Sequence, residues 1–94
     1  MTDGTRRPGD SVIRAMDLYG GMVYRIAYAR TRSRFDADDI YQEVFLRMYK
    51  SAPVFNDAEH EKAWLIRASV NASVNLLKSA WRRLTVSQTA ETPG

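Results

Sequence analysis

Six side chains of the kinds that contact nucleic acid recur along one stretch of the chain: Trp64, Arg67, Asn71, Asn75, Lys78 and Arg82. At 100° per residue they share an arc of about 80° on a helix. Asparagine amides match adenine edges, and arginine and lysine neutralise phosphate. A flat ring stacks on an unpaired base for about 1–3 kcal/mol. Residues 64–83 hold four bases, Arg67, Lys78, Arg82 and Arg83, and no acid. The plainer alternative is the wet side of a bundle helix. Against it, asparagine is a poor helix former, and a cationic face without acids forgoes helical ion pairs. An acidic protein partner is the third reading.

A second constellation has the opposite sign. Residues 36–43 carry four acids, Asp36, Asp38, Asp39 and Glu43, and no base. Asp39, Gln42, Glu43 and Leu46 share one side of a helix, and an amide among acids suits a protein surface that carries arginines. A solubilising face explains the residues equally well at this stage. The two constellations together suggest one protein partner and one nucleic-acid partner.

No catalytic constellation is present. There is no cysteine and a single histidine, His60, so disulfides, thiolate metal sites and multi-histidine sites within one chain are excluded. No nucleophile has an evident base, and no glycine-rich phosphate loop appears. The expectation is a non-enzyme with no catalytic residue, no metal and no cofactor. His60 lies among Glu59, Glu61 and Lys62, and is either a pH-sensitive contact or, more simply, a solvated loop histidine.

These residues need helices to position them. The chain has 94 residues, 45% of them hydrophobic, and a net charge of +3. That suffices for one small domain. Residues 1–9 and 85–94 are rich in Thr, Ser, Gly and Pro and read as mobile ends around a folded unit at 10–84. The first helix starts at Asp10 or Ser11, with Val12, Met16, Tyr19, Val23 and Ile26 as its buried stripe. Gly20-Gly21 interrupts that stripe, marking a bend or the close approach of a neighbour. Thr31 to Phe35 forms a turn. The second helix is expected to be capped by Asp36 and stopped by Pro53. Ile40, Val44, Met48 and Ala52 form its core line, and Tyr41, Phe45 and Tyr49 a second apolar line. After a loop at 53–60, the third helix begins between Asp57 and Lys62 and runs to about Arg83. Its expected core face is Leu65, Ile66, Val70, Leu76, Leu77 and Ala80. The fold class is all-α, a compact three-helix bundle. The N-terminal residues carry charge without a following apolar stretch, so no signal peptide is read. No run approaches the ~18 apolar residues of a membrane span. A cytoplasmic protein without a membrane partner is expected.

Asp36-Ala37-Asp38-Asp39-Ile40-Tyr41-Gln42-Glu43-Val44-Phe45-Leu46-Arg47 resembles a signature of region 2 of extracytoplasmic-function (ECF) sigma factors. Lys62-Ala63-Trp64-Leu65-Ile66-Arg67, followed by Asn71, resembles the next signature of that region. The resemblance covers about residues 17–84. It implies a bacterial transcription-initiation factor whose second helix docks on the β′ clamp helices of core RNA polymerase through Asp39, Gln42, Glu43 and Leu46. It further implies recognition and melting of the promoter minus-ten element. The loop from Val54 to Lys62 would capture a base flipped from the non-template strand. Lys62, Trp64, Arg67, Asn71, Asn75, Lys78 and Arg82 would face DNA. An anti-sigma factor is a further partner that the resemblance allows.

Trp64-Leu65 stands where primary sigma factors carry two adjacent aromatics, which implies weaker and more stringent strand opening. Ala68, Ser69 and Val70 replace larger apolar and basic residues, so no base preference carries over. Family members continue into a helix-turn-helix region 4 that binds the minus-thirty-five element. Here Ser87 to Gly94 reads as the beginning of the linker, with region 4 absent, from a fragment or a short protein. A lone region 2 is expected to bind polymerase and to locate promoters poorly by itself. The alternatives are a helical protein-interaction adaptor and a sequence-independent DNA-binding domain.

Overall fold

A computed structural model describes the backbone of residues 8–91 and the side chains of residues 9–84. It bears out the all-α class: α1 (Pro8–Thr31), α2 (Arg34–Ser51) and α3 (Ala58–Glu91) pack on one another as a three-helix bundle. No strand occurs among the described residues. The expected mobile segment at 1–9 lies almost wholly outside those residues.

Local chemistry sets each boundary. α1 is already helical at Pro8, ahead of the expected Asp10 or Ser11. Proline fits a first helical turn because its missing N–H has no partner there anyway. At the other end Arg32 takes the left-handed conformation, φ 57°, and its N–H donates to the Tyr28 carbonyl at 2.7 Å. α2 is capped by Ser33 and not, as expected, by Asp36. Ser33 is extended (φ −140°, ψ 124°), and its Oγ accepts from the Asp36 N–H at 3.1 Å. Asp36 instead sits inside the first turn, where its charge favours the positive end of the helix dipole. α2 ends on Ala52, also left-handed (φ 44°, ψ 57°), immediately before Pro53. Asp57 precedes α3 and caps it, its Oδ1 accepting from the His60 N–H at 2.8 Å. α3 continues to Glu91, eight residues past the expected end near Arg83.

The core is formed by Ala15, Val23 and Ala27 of α1 and by Ala37, Ile40, Val44, Phe45 and Met48 of α2. Leu65, Ala68 and Ala72 complete it from α3. Val12, Met16, Tyr19 and Tyr41 pack against this cluster half-buried. One α2 position assigned to the core line stands outside it, Ala52, exposed as the helix cap, and on the second apolar line Tyr49 is half exposed. Gly20-Gly21 marks a close approach. A Cβ on Gly20 would meet the Tyr41 hydroxyl at 2.9 Å.

The buried face of α3 differs most from expectation. Ser69 and Ser73 are fully buried, with Leu65, Ala68 and Ala72 beside them. Ile66 and Leu77 are exposed, Ala80 is exposed, and Val70 and Leu76 are only partly buried. The face is rotated by about 60° from the one that the large apolar residues define. Small side chains here bring the backbone of α3 close to its neighbours, so contact area comes from proximity and not from side-chain size. The serines satisfy themselves within the helix. Ser69 Oγ donates to the Leu65 carbonyl at 2.7 Å and Ser73 Oγ to the Ser69 carbonyl at 2.8 Å, so no unpaired hydroxyl is buried.

Candidate protein-binding and nucleic-acid-binding faces

α2 divides cleanly. Ala37, Ile40, Val44, Phe45 and Met48 face the core, which turns Asp39, Gln42 and Glu43 outward to solvent, with Leu46 52% exposed. Phe35, at the start of the helix, is 78% exposed. Glu43 pairs with Arg47 one turn on, Oε2 to Nη2 at 3.4 Å, with both side chains about half exposed. An exposed i,i+4 pair is worth only about 0.3–0.5 kcal/mol, so Glu43 can exchange Arg47 for an incoming cation at little cost. The face thus presents carboxylates, one amide and apolar surface to solvent.

On α3, Lys62, Arg67, Asn71, Asn75, Lys78 and Arg82 are all exposed. None of the four cations in this set engages an acid among the described residues, so their charge is available to phosphate. Lys78 and Arg82 flank a shallow apolar groove of 540 Å³ formed with Val74, Leu77 and Trp81. Trp64 is placed differently from the other stripe residues. It is half-buried and packs against the core cluster. Its ring meets Phe55 nearly edge-on, centroids 6.0 Å apart.

That contact ties the stripe to the loop before α3. Phe55 also meets the His60 ring edge-on at 5.3 Å. His60 Nδ1 accepts the Asn56 N–H at 3.1 Å. His60, although exposed, is therefore a loop staple and not merely a solvated residue. The loop, Trp64 and the first turn of α3 are held as one unit beside the cationic stripe.

Phe55 was not singled out from the sequence, where an aromatic between Val54 and Asn56 carries no periodic signal. Glu61 was not either. It is 7% exposed, and its carboxylate approaches Arg14 at 3.9 Å across the α1–α3 contact. No run or spacing links residues 14 and 61. Among the described residues no group of histidine, cysteine, aspartate and glutamate could hold a metal ion, and no helix is long and apolar enough to cross a membrane.

Comparison with known proteins agrees with this arrangement. Sigma-70 region 2 matches residues 15–83. The ECF RNA polymerase sigma factor SigW of Bacillus subtilis is 26% identical over 69 residues, covering 73% of this chain and 37% of that protein. The ECF RNA polymerase sigma factor SigE of Mycolicibacterium smegmatis is 32% identical over 60 residues, covering 64% of this chain and 23% of that protein. The match therefore spans 37% of the one relative and 23% of the other. No solved structure matches it. With the matched stretch running from the middle of α1 through the stripe on α3, the chain belongs to the sigma-70 region 2 family, in its ECF form.

Proposed function

We propose that this chain acts in bacterial transcription initiation as the part of a sigma factor that joins core RNA polymerase to the promoter minus-ten element. Asp39, Gln42, Glu43 and Leu46 dock on the β′ clamp helices. Arg67, Asn71 and Asn75 face the non-template strand, and Lys62, Lys78 and Arg82 follow the phosphate backbone. Trp64 and the loop from Val54 to Lys62 form the wall against which an extruded base is held. The observation that carries the reading is the separation of charge on one rigid bundle: an outward acidic and amide face on α2 and an outward cationic and amide stripe on α3.

The test is capture of an isolated β′ clamp-helix coiled coil by the chain and by Gln42→Ala. Retention by the wild type and loss in the folded variant is expected. A folded wild-type chain that captures neither the coiled coil nor core polymerase would refute the docking role. For the DNA face, Asn71→Ala should change the preference among minus-ten sequences while leaving polymerase capture intact. Indifference of both proteins to matched and mismatched strands would remove that role and favour sequence-independent DNA binding. Protein capture without any affinity for single strands at low salt would favour the adaptor reading. An anti-sigma factor, where one exists, would compete for these same faces.

A further inference from the structure

The corner where α1 meets α2 gathers positive charge that neither the outward face of α2 nor the stripe of α3 uses. Residues 18–35 hold four arginines, Arg25, Arg30, Arg32 and Arg34, and no acid, on a chain whose net charge is +3. All four are exposed, and none lies within ion-pair distance of an acid among the described residues. Arg25, Tyr28 and Arg32 follow at spacings of three and four, so they line one outward edge that runs off the end of α1. Tyr28 is 43% exposed, and its ring lies nearly parallel to that of Tyr24, 12° apart in plane with centroids at 6.4 Å.

A run of like charges is ordinarily a solvated face. Three residues here go against local physics in a way that a solvated face does not require. Arg32 holds the left-handed conformation, φ 57°, where glycine or asparagine is favoured. Arg34 stands in the first turn of α2, at the positive end of the helix, where a cation is repelled. Gly21 is exposed in the middle of α1, and an added Cβ would meet only the flexible tip of Arg25, Nη1 at 3.3 Å. Alanine would fit there and would favour the helix. Arg30 alone has a local explanation, since a cation suits the last turn of a helix. Locally unfavoured residues that gather on one surface without a packing reason point to a ligand.

Guanidinium groups engage phosphate or carboxylate through paired N–H donors. The Tyr28 ring, braced by Tyr24, offers a face to a planar group, which an unpaired base has and an acidic side chain lacks. Gly21 leaves bare backbone beside Arg25, where a strand can come close. Arg25 and Arg32 are separated by about 10 Å along the helix axis, the rise of about three nucleotides. We propose that this corner is a second binding surface for a single-stranded nucleic acid, with Arg25, Arg32 and Arg34 on its phosphates and one base stacked on Tyr28. No residue assigned to polymerase or to the minus-ten element enters it, so it stands or falls separately from those roles.

The test is a titration of the ¹⁵N-labelled chain with hexathymidylate and with hexauridylate. Saturable shifts of the amides from Gly21 to Arg34 are expected, and the tighter of the two strands identifies DNA or RNA as the source. Arg32→Gly should weaken this site about fivefold at about 0.1 M salt, the effect of losing one counterion-releasing contact. Shifts around Asn71 and Lys78 should keep their midpoints in that variant. The same variant should raise the urea midpoint, because glycine suits a left-handed position. A gain in stability joined to a loss of binding is not what a purely structural arginine would give. Tyr28→Leu should weaken the site about tenfold. Absence of any saturable shift at the corner, or equal binding there by the wild type, Arg32→Gly and Arg25→Gln, would overturn the proposal. Displacement of both strands by equimolar hexaglutamate would overturn the nucleic acid in favour of an acidic polypeptide.

Discussion

Replacing Gly20 by alanine sets two opposed effects against each other at one atom. An alanine in a helix interior is favoured over glycine by about 1 kcal/mol. The added Cβ, however, would lie 2.9 Å from the Tyr41 Oη, 3.3 Å from its Cε2 and 3.5 Å from its Cζ. The ring is not free to yield. It packs on the Phe45 ring, centroids 4.9 Å apart at 56°, and against the buried cluster. Overpacking of this kind costs about 1–3 kcal/mol. Setting about 2 against about 1 leaves a net loss of about 1 kcal/mol, or a Tm lower by about 4–8 °C for a domain of this length. The hydroxyl is the nearest atom, so Tyr41→Phe should relieve most of the conflict. In that background Gly20→Ala should be neutral or stabilising by up to about 1 kcal/mol. Urea unfolding of the wild type, both single variants and the double variant, followed by far-ultraviolet circular dichroism, gives the coupling directly, expected at about 1–2 kcal/mol. If Gly20→Ala stabilised both backgrounds equally, the close approach of α1 to Tyr41 would not govern this position, and the reasoning would fail.

Other substitutions follow from the same geometry. Ala52 is left-handed and exposed, so Ala52→Gly should stabilise by about 0.5–1 kcal/mol after allowing for the looser unfolded chain, read as a higher urea midpoint. Ser33 holds the only side-chain cap found on α2 among the described residues. Ser33→Ala should therefore cost about 1 kcal/mol, while Asp36→Asn should change the urea midpoint far less. With Lys62, Lys78 and Arg82 on phosphate, the log–log salt dependence of single-strand binding should have a slope of about −2, and Lys78→Ala should reduce its magnitude by about 0.7. An unchanged slope, measured by fluorescence anisotropy across a salt series, would take Lys78 off the backbone.

Much of the fold was legible because α2 obeys simple periodicity. Ile40, Val44 and Met48 recur every four residues and are buried, and the acids between them are thereby turned outward. The stripe on α3 was legible for the related reason that polar residues at spacings of three and four stay wet. The buried face of α3 was not. There the large apolar residues Ile66 and Leu77 are exposed while Ser69 and Ser73 are enclosed. Hydropathy ranks those residues in the reverse order, so it is the packing of the three helices and not side-chain hydropathy that sets this face. The Ser33 cap was hidden by the better-looking Asp36, since both are good cap residues and the turn geometry chose between them. Phe55 and the Glu61–Arg14 approach depend on contacts between distant parts of the chain, which no local pattern encodes.

α3 is one unbroken helix of 34 residues, and every side chain from Leu77 to Leu84 is exposed. Beyond Leu76 the helix rises for a further 15 residues, about 22 Å at 1.5 Å each. It is therefore a lever whose fulcrum is the packed segment around Ala68–Ser73. A tilt of about 5° at that fulcrum would swing the far end by about 2 Å, given that arm length. The small side chains at the fulcrum set the angle, so their volume fixes a distance far from where they lie. Anything attached to the end of α3 inherits its position from alanines and serines buried in the bundle.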